Sequence, residues 1–255
     1  MTTRIRKPIA VVLVALAVAF AVAACGGDDD SGTSGSDLPQ GSEPVDLNPD
    51  DFTTRIDNPY WPLKVGSRWV YSETDQEGAD QRVVVTVTNK TKQIANGVEA
   101  RVVRDVVTDR KTGEATEITD DWYAQDKDGN IWYMGEATAE YENGKLVTRA
   151  GSFEAGVDGA QPGIIMPAEP QVGQAYRQEY YKGKAEDEGA VLSLDAQAEV
   201  PAGHYPDALM TQDTNPLEPK VFELKFYAKG VGPVQAVSVS GGTDREELLK
   251  YTEGG

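Results

Sequence analysis

Asp126, Asp128 and Asn130 stand at alternate positions in "DDWYAQDKDGNIWYMGE", residues 120–136. Side-chain oxygens at that spacing open a calcium loop of the EF-hand kind, which continues with glycine at its sixth position and a bidentate glutamate at its twelfth. Here those positions are Ile131 and Ala137, and the flanks are aromatic and strand-like. The stretch therefore reads as a hairpin tip, with Asp and Asn supplying turn geometry. A loose cation site on Asp126, Asp128 and Asn130 is the alternative, and no other metal site is implied.

Other chemistry is sparse. His204, between Pro201 and Pro206, is the single histidine. A general base needs a nucleophile within reach, and no G-x-S-x-G elbow accompanies it. Zinc needs three or four ligands, usually His or Cys, so one histidine and one cysteine argue against it. No motif implies a cofactor. Carboxylates are abundant, and a glycosidase works with a pair of them. Glu179, Glu186, Asp187 and Glu188 cluster in "RQEYYKGKAEDEG", a run expected to be a solvated turn. Arg177 and Glu179 lie two apart, on one face of a strand, and are expected to form a salt bridge.

The single cysteine, Cys25, ends "VAAC" after three bases (Arg4, Arg6, Lys7) and an apolar run from Ile9 to Ala24. A charged start, an apolar stretch and small residues form a secretory signal, shorter than the ~20 residues of a spanning helix. "VAAC" resembles a bacterial lipobox. That resemblance implies cleavage before Cys25 and a diacylglycerol on its sulfur, with residues 1–24 as the signal peptide. It also implies palmitate-type acylation and a membrane anchor on the extracytoplasmic face.

Charge agrees with export. The chain carries a formal charge of −18, and its signal holds no acid. Nucleic acid is excluded as a partner, since phosphate binding needs Lys and Arg. Residues 25–51, rich in Gly, Ser, Asp and Pro, cannot bury enough apolar surface to order themselves. They read as an acidic tether with an rms span of roughly 28 Å.

The residues able to position any site lie in one domain, 52–255. From Val65 on, β-branched and aromatic runs are divided by Asn96-Gly97, Asp128-Gly129 and Asn143-Gly144, turns that favour hairpins. The expected fold is mainly β: an antiparallel meander forming a curved sheet or open barrel, with little helix. In "VFELKFYAKG", Phe222, Leu224 and Phe226 alternate with Glu223, Lys225 and Tyr227, which gives one buried and one wet face. "DREELLKYTE" could be a short helix or a last strand. Residues 152–173 lack a clear pattern, and loops that long are usually functional. Ile164, Ile165 and Met166 within them are expected to form either a plug that holds an apolar ligand or a plain crossover pinned on the core. Trp122 and Trp132, beside Tyr123 and Tyr133, either expose an aromatic ligand surface or pair across the hairpin.

The motifs "NPYWPL", "AGVDGAQPGIIMPA" and "YRQEYYKGKAEDE" resemble those of a family of exported bacterial proteins over residues 58 to about 240. That family brings no assigned activity, so the resemblance implies one exported domain and no catalytic residue. Taken together, the sequence points to a lipid-anchored, non-enzymatic module that binds an apolar ligand or an envelope partner. An envelope glycan hydrolase with a carboxylate pair, or a structural spacer, are the alternatives.

Overall fold

The computed structural model describes residues 38–74 and 80–255. The signal peptide, Cys25 and the first half of the expected tether, to residue 37, lie outside the described residues. The sixteen strands are β1 (Phe52–Thr53), β2 (Arg68–Thr74), β3 (Asp80–Gln93), β4 (Glu99–Asp109), β5 (Ala115–Asp126), β6 (Ile131–Glu142), β7 (Lys145–Thr148) and β8 (Phe153–Glu154); then β9 (Gln161–Met166), β10 (Ala175–Arg177), β11 (Glu179–Tyr180), β12 (Glu188–Val200), β13 (Gly203–Thr214), β14 (Phe222–Ala228), β15 (Gly232–Ser240) and β16 (Arg245–Thr252). One 3-10 turn, Pro49–Asp51, is the only helical element among the described residues. The mainly β, antiparallel expectation holds, and "DREELLKYTE" is a strand.

Every pairing is antiparallel, and the hydrogen-bonded order is β10-β12-β13-β14-β15-β16-β2-β3-β4-β5-β6-β9-β11. Its two ends, β10 and β11, are neighbours along the chain, separated only by Gln178. The run 175–180 thus pairs with β12 on one side and with β9 on the other, which brings the sheet to a nearly closed barrel. Closure removes the free edges that invite unwanted pairing. Gly163 makes the seam possible: a Cβ there would sit 2.4 Å from the Arg177 carbonyl oxygen. Arg177 locks it. Its buried guanidinium donates twice to the Pro162 carbonyl, at 3.1 and 2.8 Å, and to the carbonyls of Gly41 and Glu43 at 2.9 and 2.6 Å. This planar fork of five donors binds a strap of chain across the seam. The strap belongs to the stretch expected as tether to residue 51; from Leu38 on, the described chain packs on the barrel.

The chain after the strap fills one end of the barrel, here the lower end, which carries the β5–β6 and β14–β15 turns. Ile56, Tyr60, Trp61 and Leu63 are buried there. Trp61 lies 5.3 Å from the Tyr123 ring and 6.2 Å from that of Tyr227. Asn58 donates to the carbonyls of Gly129 and Pro167, while the Gln125 side chain accepts from the backbone of Asp57 and Asn58. Gly232, at φ +104°, leaves room for Trp61, since a Cβ would stand 2.7 Å from its ring. Residues 152–173 are not the plug. They form β8 and β9, the latter paired with β6 and β11, so the crossover reading is the one observed.

Candidate functional site

Alternate residues of the strands point into the barrel, and toward the upper end acids predominate among them. A cavity of about 390 Å³ opens there, walled by Glu73 (β2), Gln81 and Val83 (β3), Asp105 and Val107 (β4), Thr116 and Glu117 (β5), Glu140 (β6) and Glu246 (β16). Asp105 stands out, because its Oδ1 is buried without a hydrogen-bond partner. Burial, and then the like charges of Glu117, Glu73 and Glu136, raise its pKa to about 7. Glu246 is raised to about 8 by burial, with Asp105, Glu73 and Glu223 adding to the shift and Lys225 opposing it. Desolvation disfavours the charged form, and a neighbouring like charge does the same.

Deeper in the wall, β5 and β6 carry a hydrogen-bonded chain of acids and hydroxyls. Tyr133 Oη lies 2.7 Å from Asp121 Oδ1 and 2.8 Å from Glu136 Oε2. A phenol has one proton, so two such short contacts require a proton on one of the carboxyls. Asp121 fits that role, since burial and then Glu136 push its pKa well up. Glu136 Oε1 accepts from Thr138, which lies 3.0 Å from Thr119, and Thr119 reaches Glu117. The wire thus ends at the cavity.

On the opposite wall, Lys225 supplies a cation. Its Nζ sits 2.8 Å from Asp213 and 3.3 Å from Glu223. Its side chain stays 31% exposed, so the lumen beside it has room for solvent. Asp213 also accepts from Gln178 and Thr211. Beside it, burial and then the Asp187 charge raise the pKa of Glu179, and burial also raises that of Asp187. The acid run in "KAEDEG" is therefore divided. Glu179 and Asp187 face the lumen, while Glu186 accepts from Gly183 N in a turn. Arg177, committed to carbonyls, does not form the expected pair with Glu179. A second cavity of about 300 Å³, walled by Gly41, Arg177, Glu179 and Glu188 among others, lies at this seam.

The residues singled out from sequence fall elsewhere. Ile164 and Met166 are core residues of β9, with Ile165 half-buried. Trp122 is covered by Lys92, whose Nζ lies 4.4 Å from the ring centre. Trp132 packs edge-on against Phe52 and donates to Asp126. Tyr123 and Tyr133 stack across the hairpin at 5.0 Å. All four aromatics are buried, which is the cross-strand reading and not an exposed ligand surface. At the 126–130 tip, Asp126 accepts from Asp128 N, Asn130 N, Asn130 Nδ2 and Trp132 Nε1. Those N–H donors occupy the oxygens a cation would need. No group of three or more His, Cys, Asp or Glu among the described residues is arranged to hold a metal ion. His204 is exposed on β13, opposite Glu199.

Sequence reasoning missed the lumen. The signal was present as alternation: Glu117, Thr119 and Asp121 on one strand, Glu136, Thr138 and Glu140 on the next. Alternation marks a polar face but does not say whether that face meets bulk water or an enclosed space.

No family model matches the sequence, and no curated protein matches it. Among solved structures, the chain is similar to a protein from Parabacteroides distasonis ATCC 8503, described only provisionally as a lipoprotein. The two share 12% identity over 76% of this chain and 98% of the other, with a TM-score of 0.40. Similarity at that level assigns neither family nor activity.

Proposed function

We propose that this is a lipid-anchored, extracytoplasmic binding protein that holds a small water-soluble ligand in its lumen and does no chemistry on it. Support for the anchor comes from the signal and "VAAC" at 22–25; two acyl chains hold firmly where one does not. The binding role rests on one observation: a nearly closed barrel surrounds an acid-walled cavity of about 390 Å³ beside which the buried Asp105 Oδ1 has no partner. Burying unpaired polar groups costs stability, and perturbed carboxyls gathered in a cleft mark functional sites. The apolar ligand expected from residues 152–173 loses its support, because Ile164 and Met166 are spent on the core.

The test is native mass spectrometry of the full chain, purified in detergent from its own host. A small molecule retained on the protein is the expected result. A bare protein mass, with no thermal shift from amine, sugar or peptide probes, contradicts the reading. Cys25→Ala should release the protein from membranes and abolish incorporation of labelled palmitate.

A second reading has one observation behind it. Tyr133 hydrogen-bonds the Asp121 and Glu136 carboxyls at 2.7 and 2.8 Å, which keeps them no farther apart than the roughly 5–5.5 Å of a retaining glycosidase pair. The Tyr133 hydroxyl, however, occupies the space between them where a scissile oxygen would stand. Envelope-glycan hydrolysis that disappears in both Asp121→Asn and Glu136→Gln would favour this hydrolase over the binder.

A further inference from the structure

We propose that the upper cavity around Asp105 binds a linear aliphatic polyamine, with one ammonium group seated between Asp105 and Glu246. This inference rests on the lumen being a binding site and names what the site takes.

Three observations lead there. First, Asp105 Oδ1 is a buried acceptor with no donor, in a wall whose other charged members, Glu73, Glu117, Glu140 and Glu246, are also acids. The missing group must therefore bring N–H or O–H bonds and positive charge together. Second, the barrel shows its own solution to the same problem on the facing wall, where the Lys225 ammonium bridges Asp213 and Glu223 at 2.8 and 3.3 Å. Lys225 also bears on Glu246, but among the described residues no lysine or arginine lines the upper cavity. Third, the acids are spread over five strands with Val83 and Val107 among them, and no three converge on a metal-binding arrangement. A hard divalent ion wants six or more oxygens packed around one point. A chain of ammonium groups joined by methylenes wants the reverse: separated carboxylates with apolar wall between. The cavity of about 390 Å³ lies within the ~300–1,000 Å³ range of small-molecule sites.

Charge alone would attract any cation weakly, so the test must separate a seat from an ion atmosphere. The experiment is calorimetric titration of the full chain in detergent with spermidine, at pH 8 and 150 mM NaCl. Saturable one-to-one binding is expected, at least tenfold weaker in Asp105→Asn. In Asp120→Asn, which removes the same charge from the outer face where Asp120 pairs with Arg104, affinity should stay within twofold of the parent. Thermal melting of both variants confirms that they are folded. The proposal is overturned if spermidine gives no saturable binding, if both variants weaken equally, or if magnesium at matched charge competes as well as spermidine. If spermidine fails while native mass spectrometry still finds a retained small molecule, the amine assignment falls and the lumen reading stands.

Discussion

At the lower end of the barrel Trp61 fills the space between Tyr123 and Tyr227, and Ile56, Tyr60 and Leu63 complete a dry plug. At the upper end Glu73, Asp105, Glu117, Glu140 and Glu246 face one another across a cavity. Strand β5 supplies both ends, with Tyr123 below and Glu117 above. One half of this strand is used for stability and the other carries a burden that stability alone does not explain. That division is how a small barrel can hold a polar site: the plug and the seam keep it closed while the acids repel one another.

Trp61→Ala should have the largest effect. Removing a buried tryptophan costs about 3–5 kcal/mol, and the loss should be seen as a lowered urea midpoint at every pH. The acids should act in the opposite sense to ordinary acid denaturation. Asp105 and Glu246 have folded-state pKa values of about 7 and about 8, above the roughly 4 of unfolded carboxyls. The native state therefore binds their protons more tightly. Their stabilising effect is complete below about pH 4 and is lost as pH climbs through 7 to 8. Melting should fall by roughly 10 °C or more between pH 5 and pH 8, at about 2–4 °C per kcal/mol for a domain of this size. A melting temperature that rises over that interval would refute the upper-end assignment. Asp105→Asn sharpens the same point. At pH 8 it should stabilise the protein by about 1–2 kcal/mol, by removing a buried unpaired charge, and at pH 5, where Asp105 is already neutral, the gain should vanish. Smallest is Asp126→Ala at the lower hairpin tip. It loses four local hydrogen bonds at a partly solvated turn, and should cost about 1 kcal/mol by denaturant titration, with no effect of added calcium on either form.

The plug and the cavity were also unequally legible from sequence. The meander could be read because its turns announce themselves. Asn143, Gly97, Gly129 and Gly144 take the positive φ that such turns demand, and the strands between them are dense in Val, Thr and aromatics. β9 escaped because Pro162 and Gly163 look like loop residues. Gly163 is there for a long-range reason, the close passage of the Arg177–Gln178 backbone, which local pattern does not contain. Ile164, Ile165 and Met166, the plug expected from sequence, sit in β9, and the plug is supplied instead by the "NPYWPL" region, residues whose partners Tyr123 and Tyr227 are far away in sequence. The lumen escaped for a different reason. Glu223, Lys225 and Tyr227 were legible as a face distinct from Phe222, Leu224 and Phe226. Only closure through residues 175–180 turns that face inward, and closure depends on two short strands and one buried arginine.

The most direct test of the central claim is a pH titration of the Asp and Glu side-chain carboxyl signals by carbon-13 NMR on the full chain. The account requires Asp105 and Glu246 to titrate near 7 and 8, and each to shift downward when spermidine is added. If every carboxyl instead titrates near the ordinary ~4 of exposed groups, the enclosed acid lumen does not exist, and the binding role assigned to it is contradicted.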